Sequence, residues 1–177
     1  MELLIGCIGF ILCFIYDWNR VFWKKTWMTC FFWIGCLCQI YAGVSFLVEA
    51  YGNQRSGWMI WIGAALFFFA GLIYTLFFAL PFDSTYRQEA DQHKVCRTGL
   101  YGVCRHPGIL WFFGCFLCLG VACGSKTSIA YGMVLSVINL LYAWYQDKWI
   151  FPVEFSDYRD YQKEVPFLLP LKRRLNG

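Results

Sequence analysis

Five apolar stretches, at 3–16, 27–48, 57–80, 108–123 and 129–145, account for most of this chain. A helix needs roughly 17–25 residues to cross a hydrocarbon core, so the second and third stretches have ample length. The first and fourth are short. Each must tilt little, thin the bilayer or borrow flanking aromatics such as Trp18, Phe22 and Trp23. Hydrophobic residues make up 59% of the chain and charged residues 15%, against about half and about a quarter in a soluble domain. The expected fold class is an all-α integral membrane protein: one domain over 1–177, with about five transmembrane helices and a C-terminal amphipathic tail.

The opening "MELLIGCIGF" begins with an acid, lacks a basic leader and shows no small-residue cleavage site before "DWNR". It reads as a retained helix. Orientation follows from Lys and Arg, which gather in cytoplasmic loops. With the N-terminus outside, the inner segments carry Arg20, Lys24, Lys25, Arg87, Lys94, Arg97, Arg105, Lys148, Arg159, Lys163, Lys172, Arg173 and Arg174, which is thirteen of the fifteen cations. Only Arg55 and Lys126 fall outside. The net charge of +4 therefore belongs to an inner membrane face and makes no case for nucleic acid. The expected setting is a multi-pass protein of a bacterial-type cell membrane, with the C-terminus cytoplasmic and the bilayer as its first partner.

Ten cysteines suggest a disulfide framework until they are placed. Eight fall in the apolar stretches and only Cys96 and Cys104 lie on the cytoplasmic side, so most read as small buried hydrophobes. "CFLC" at Cys115 and Cys118 has redox or metal spacing, but it sits mid-membrane with no second pair and only two His in the chain. No metal is expected. Gln39 and Asn139 inside apolar stretches read as interhelical hydrogen-bonding residues, while His93 and Glu49 read as solvated.

Short connections after the first, second and fourth helices predict antiparallel neighbours, as in an up-down bundle. Polar residues gather in the loop 81–106 and the tail 146–177, both on the inner face. In the tail, Phe151, Phe155, Tyr158, Gln162 and Val165 recur at helical spacing, which predicts an amphipathic helix ended by Pro166 and Pro170. Its pattern favours an interfacial anchor, with Lys172, Arg173 and Arg174 on anionic lipid, over a cap folded back across the loop.

"YGVCRHPGILW" places Arg105 and His106 directly before Pro107, and proline is favoured at the first position of a helix. Cationic side chains at a helix start oppose the dipole unless an anionic group binds between them, so the pattern points to a carboxylate or phosphate seat. Gly99 and Gly102 permit turns or close backbone approach, and Tyr101 between them offers a ring and a hydroxyl. Together these predict an anion-plus-aromatic site facing the cytoplasm.

"TGLYGVCRHP" resembles the segment before the penultimate membrane helix in the isoprenylcysteine carboxyl methyltransferase and phospholipid methyltransferase families. The tail "FSDYRDYQKEVPFLLP" is similar to their closing pattern of Phe, two Tyr, Val-Pro and a final Pro. The resemblance covers the C-terminal half. It implies a small helical bundle whose last two membrane helices form a hairpin, with loop and tail enclosing S-adenosylmethionine near the inner surface and a lipophilic or prenylated acceptor entering from the bilayer. Gly99, Tyr101, Arg105, His106, Pro107, Tyr158 and Tyr161 would be cofactor-side residues, with Pro166 helping to close the pocket, and Arg105 and Asp147 would be catalytic. Such a transfer demands alignment and exclusion of water more than acid–base help.

This chain departs from the family pattern after the last membrane helix. Paired glutamates are usual there, but Asp147 and Lys148 stand in their place, no Arg occurs in "NLLYAWYQ", and Ile109 and Trp111 replace the family's usual Tyr and Gly. The leading expectation is a membrane methyltransferase acting on a prenylcysteine-like group, a lipid amine or a thiol. A non-catalytic sensor or assembly protein of the same fold ranks second, and an NADPH-dependent membrane reductase third.

Overall fold

The computed structural model describes residues 1–79 and 94–168, and every regular element among them is helical. In chain order these are α1 (Glu2–Trp18), α2 (Cys30–Asn53), α3 (Trp58–Phe77), α4 (Leu100–Val103), α5 (Pro107–Cys123), α6 (Lys126–Tyr145), α7 (Phe151–Glu154) and α8 (Tyr158–Glu164). Two five-residue π-helical turns, Asn19–Trp23 and Gln146–Ile150, continue α1 and α6. Four helical segments are long and apolar enough to cross a membrane: Glu2–Trp23, Thr26–Asn53, Trp58–Phe77 and Lys126–Glu154. This fits a multi-pass integral membrane protein.

The fifth apolar helix, α5, has seventeen residues, of which eleven are buried; α3 buries only Ala65 and Thr75 among twenty. The length rule binds helices that face lipid. Because α5 lies among α2, α3 and α6, its shortness meets protein on most sides. The first stretch overcomes its own shortness differently, by running on through the π turn to Trp23.

The up-down expectation fails at one step. α1 packs on α2, and α5 on α6, but α3 packs chiefly on α5 and has little contact with α2. Glycines decide this. A β-carbon on Gly114 would collide with the Phe68 ring, and one on Gly71 would lie 2.6 Å from the Trp111 ring, so each helix seats an aromatic of the other in a glycine notch. The same logic brings other backbones together, since a β-carbon on Gly132 would lie 2.6 Å from the Phe116 carbonyl oxygen, and one on Gly35 would lie 2.8 Å from that of Gly9. Small residues permit this close approach in lipid, where helices gain no hydrophobic drive toward one another. The core then fills with Phe10, Phe46, Phe112, Phe116, Leu119 and Leu135.

Of the two polar residues expected to bond between spans, Gln39 does so, and Asn139 makes no such bond among the described residues. Gln39 donates from Nε2 to the Gly6 carbonyl at 2.8 Å, joining α2 to α1. Glu49 is exposed, and it also accepts from Ser128 Oγ at 2.7 Å. All ten cysteines are free, with Cys115 and Cys118 both buried in α5. His93, Arg87, Pro170 and the terminal cations lie outside the described residues.

Candidate functional site

Asp147 organises the end of the bundle where α1 and α6 finish and α5 begins. It stands on the π turn after α6, and its carboxylate is nine-tenths buried. Tyr158 donates its hydroxyl to Oδ1 at 2.6 Å, His106 Nε2 lies 3.2 Å from the same oxygen, and Gln162 Nε2 donates to Oδ2 at 3.0 Å. Arg105 completes the shell. Its Nη2 donates to Oδ2 at 3.3 Å, and its Nε sits 2.9 Å from Oδ1 but off the N–H axis, as an ion-pair contact. Such charge-assisted bonds are about twice as strong as neutral ones.

The tail lies back across the loop, which selects the cap over the anchor favoured by sequence pattern. Arg105 Nη1 donates to the carbonyls of Gln162 and Val165 at 2.8 and 3.2 Å. The backbone N–H groups of Arg105 and His106 donate to Pro166 and Phe167 at 2.9 and 3.2 Å. The His106 ring stacks against Phe151 at 5.9 Å and tilts against Phe167 at 4.8 Å. Pro107 opens α5 and is buried.

The tail is two helices rather than one. Between α7 and α8 the chain turns at Phe155, which is extended at φ −112° and ψ 123°. Asp157 explains the break: its carboxylate accepts from the Val95 N–H at 2.9 Å and from Arg97 at 3.0 Å, drawing the chain toward the loop. Phe155, Tyr158, Tyr161 and Val165 still bury one face together.

The loop glycines act for different reasons. Gly99 has φ +59°, a conformation that a side chain resists, with open space where a β-carbon would stand; Gly102 has its α-carbon against the Arg97 carbonyl, where a β-carbon would lie at 2.7 Å. Tyr101, half-buried, donates to the Thr75 carbonyl at 3.3 Å and accepts at its own carbonyl from Tyr161. Arg97 pairs with Asp157 and Glu164.

Burial pushes the His106 imidazole below its ordinary value; the Asp147 contact works the other way without prevailing. Burial, then the Asp147 carboxylate, raises the Tyr158 hydroxyl far above its ordinary value, so it stays a donor. The cluster is thus a neutral imidazole, a locked phenol and a carboxylate joined to a guanidinium. Its carboxylate is saturated with donors, and the imidazole meets it through Nε2.

Compared with models of protein families, curated proteins and solved structures, the chain has no match. The motif resemblance therefore stands on its own residues. Arg105 and His106, expected to seat a bound anion between them, both face the Asp147 carboxylate of the same chain. Lys148, in the second acidic position of the family pattern, lies over the rings of Trp144 and Trp149 at 5.1 and 5.3 Å, away from the cluster.

A second polar cluster was missed by sequence reasoning. Asp17, buried at the end of α1, accepts from Tyr142 at 2.6 Å and from Gln146 at 2.7 Å, while Arg20 meets the Glu154 carboxylate end-on with two 2.7 Å contacts. The available signal was an acid at the end of an apolar run. Adjacent residues of one π turn therefore serve both clusters: Gln146 holds α1, and Asp147 holds loop and tail.

Proposed function

We propose that this chain is an integral membrane methyltransferase that uses S-adenosylmethionine and a lipophilic acceptor, with the donor bound at the cytoplasmic face. The observation that carries the proposal is the closure of the tail on the Arg-His-Pro turn through Asp147, at the open end of the α5–α6 hairpin. The motif resemblance calls for a tail that closes on this turn. A carboxylate saturated with donors also suits a reaction that depends on alignment and dryness more than on proton transfer.

The residues fit the donor with changed roles. Arg105 and His106, both engaged by Asp147, would hold the enclosure together rather than grip the donor's carboxylate. Thr75 supplies the positive sign of fit: its hydroxyl is fully buried with no hydrogen-bond partner, and its carbonyl accepts from Tyr101. An unsatisfied buried hydroxyl costs about 1–3 kcal/mol, which a polar group of a ligand would relieve. Tyr101 would offer its ring, and Gly99 the open approach beside it. S-adenosylmethionine would supply a sulfonium-bound methyl, and the acceptor, a prenylcysteine-like group, lipid amine or thiol, would reach it from the bilayer.

A second reading, a non-catalytic membrane protein of the same build, is favoured by one specific observation: every Arg105 donor group already faces Asp147 or a tail carbonyl. The reductase has less support, since Arg97 and Arg105 are both engaged by carboxylates and not open to a dinucleotide phosphate. Calorimetric titration of S-adenosylhomocysteine into detergent-purified protein separates these, with NADPH as control ligand and Thr75→Val as the variant. Saturable binding weakened by Thr75→Val supports the methyltransferase. No binding to well-folded wild type removes it, leaving the reductase if NADPH binds and the non-catalytic role if neither does.

A further inference from the structure

The two cations left at the opposite end of the bundle converge. Arg55 lies in the turn from α2 to α3 and Lys126 begins α6, and both line one pocket of about 330 Å³ together with Ser56, Trp58 and Trp61. The Arg55 side chain lies directly over Gly124, where any β-carbon would collide with it; Gly124 itself has φ +67°. The rim is braced by Asn53, which donates to the Cys123 carbonyl at 2.9 Å. Among the described residues no carboxylate reaches ion-pair distance of Arg55 or Lys126. Glu49 is engaged by Ser128, and Glu2 by the N-terminal ammonium.

We propose that this pocket binds the phosphate of a membrane-lipid headgroup. Two unpaired cations at one mouth attract an anion, and a guanidinium beside an ammonium suits phosphate oxygens. The first turns of α3 and α6 start here too, so two dipole ends add the same sign. The lipid source follows from position. The pocket sits where apolar helices end, with Trp58 and Trp61 as interfacial side chains and Val121 and Ile129 in its wall to meet acyl carbon. In the expected orientation this is the outer face, which cations otherwise avoid.

Native mass spectrometry of the full chain tests this, comparing retained phosphatidylglycerol with a galactosyl diacylglycerol that lacks phosphate. Wild type should prefer phosphatidylglycerol, and Arg55→Gln with Lys126→Gln should weaken that binding about thirtyfold, as two near-surface cations imply. Lys24→Gln with Lys25→Gln, at the other end, should leave it unchanged. Equal retention by the Arg55/Lys126 variant overturns the proposal. If inorganic phosphate protects wild type against heat while the two lipids bind alike, the lipid assignment falls. Should the double variant not fold, wild type treated with a headgroup-photoreactive phosphatidylglycerol decides. Adducts at 55–61 and 121–129 support the site, and adducts elsewhere alone refute it.

Discussion

Asp147→Asn tests the centre of the structure with almost no change of shape. The carboxylate and the Arg105 side chain are each about nine-tenths buried, and Tyr158, His106 and Gln162 all surround the same two oxygens. Neutralising Asp147 leaves the Arg105 charge without a counter-charge, facing the amide and the Gln162 and Val165 carbonyls. Removing one partner of a buried pair costs about 3–5 kcal/mol, and the amide also places an N–H among groups that donate. Residual exposure and the retained carbonyl bonds argue for the lower end, about 3 kcal/mol. For a chain of this size that lowers Tm by about 6–12 °C. The assay is thermal unfolding in detergent, read by tryptophan fluorescence, beside limited trypsin digestion at Arg159 and Lys163. The variant should melt earlier and lose its tail to trypsin first. Replacing both partners, Arg105→Met with Asp147→Leu, should recover part of the loss, because no unpaired charge remains. A shift for Asp147→Asn below about 2 °C, or a double variant worse than the sum of its singles, would refute the account of Asp147 as the clasp between loop and tail.

Three further outcomes follow from other parts of the molecule. His106 is held neutral by burial while the unfolded chain takes up a proton near pH 6.5, so the unfolded state binds more protons and stability falls as pH drops through that value; His106→Gln should flatten the decline of Tm between about pH 7 and 5.5. Gly132→Ala should cost about 1–3 kcal/mol, since its methyl would press on the Phe116 carbonyl, whereas Gly63→Ala, with open space around it, should be neutral or gain up to about 1 kcal/mol in the same melts. Tyr142→Phe should cost about 1.5–3 kcal/mol by removing a charged-acceptor hydrogen bond to Asp17, and faster hydrogen exchange at the end of α1 would report it.

Membrane helices were legible because their signal is local. A run of apolar residues must be helical in lipid, where no water can satisfy the backbone, and four such segments appear, the first and last running on past the apolar stretch to Trp23 and Glu154. Adjacency was legible where α1 meets α2 and α5 meets α6, and failed at α3, because glycine notches rather than loop length decided its neighbour. Gly71 and Gly114 looked unremarkable in apolar runs, yet each accepts an aromatic of the other helix and together they bind α3 to α5. The tail break at Phe155 escaped for a related reason. Helical periodicity records which residues share a buried face, and that face survived; it does not record that Asp157 would be drawn to Val95 and Arg97, sixty residues earlier in the chain.

The site was legible in its demand and not in its answer. Dipole reasoning required an anion between Arg105 and His106, and that requirement holds whether the anion comes from a ligand or from the chain. Asp147 supplies it because the helix it ends is wound as a π turn, which alters the angle between successive side chains at the one place where α1, α5 and the tail converge. Gln146 can then reach Asp17 while Asp147 faces Arg105 and His106. An ordinary α-helical end would leave a register that serves one cluster at the expense of the other. The π turn is therefore a local feature that couples the membrane bundle to its polar cap, beside the Tyr101–Thr75 and Arg20–Glu154 contacts, and deletion of a single residue within 146–150 should loosen that coupling. Such a deletion should release the tail to trypsin while the four spans remain inserted; a tail that stays protected would place the coupling elsewhere.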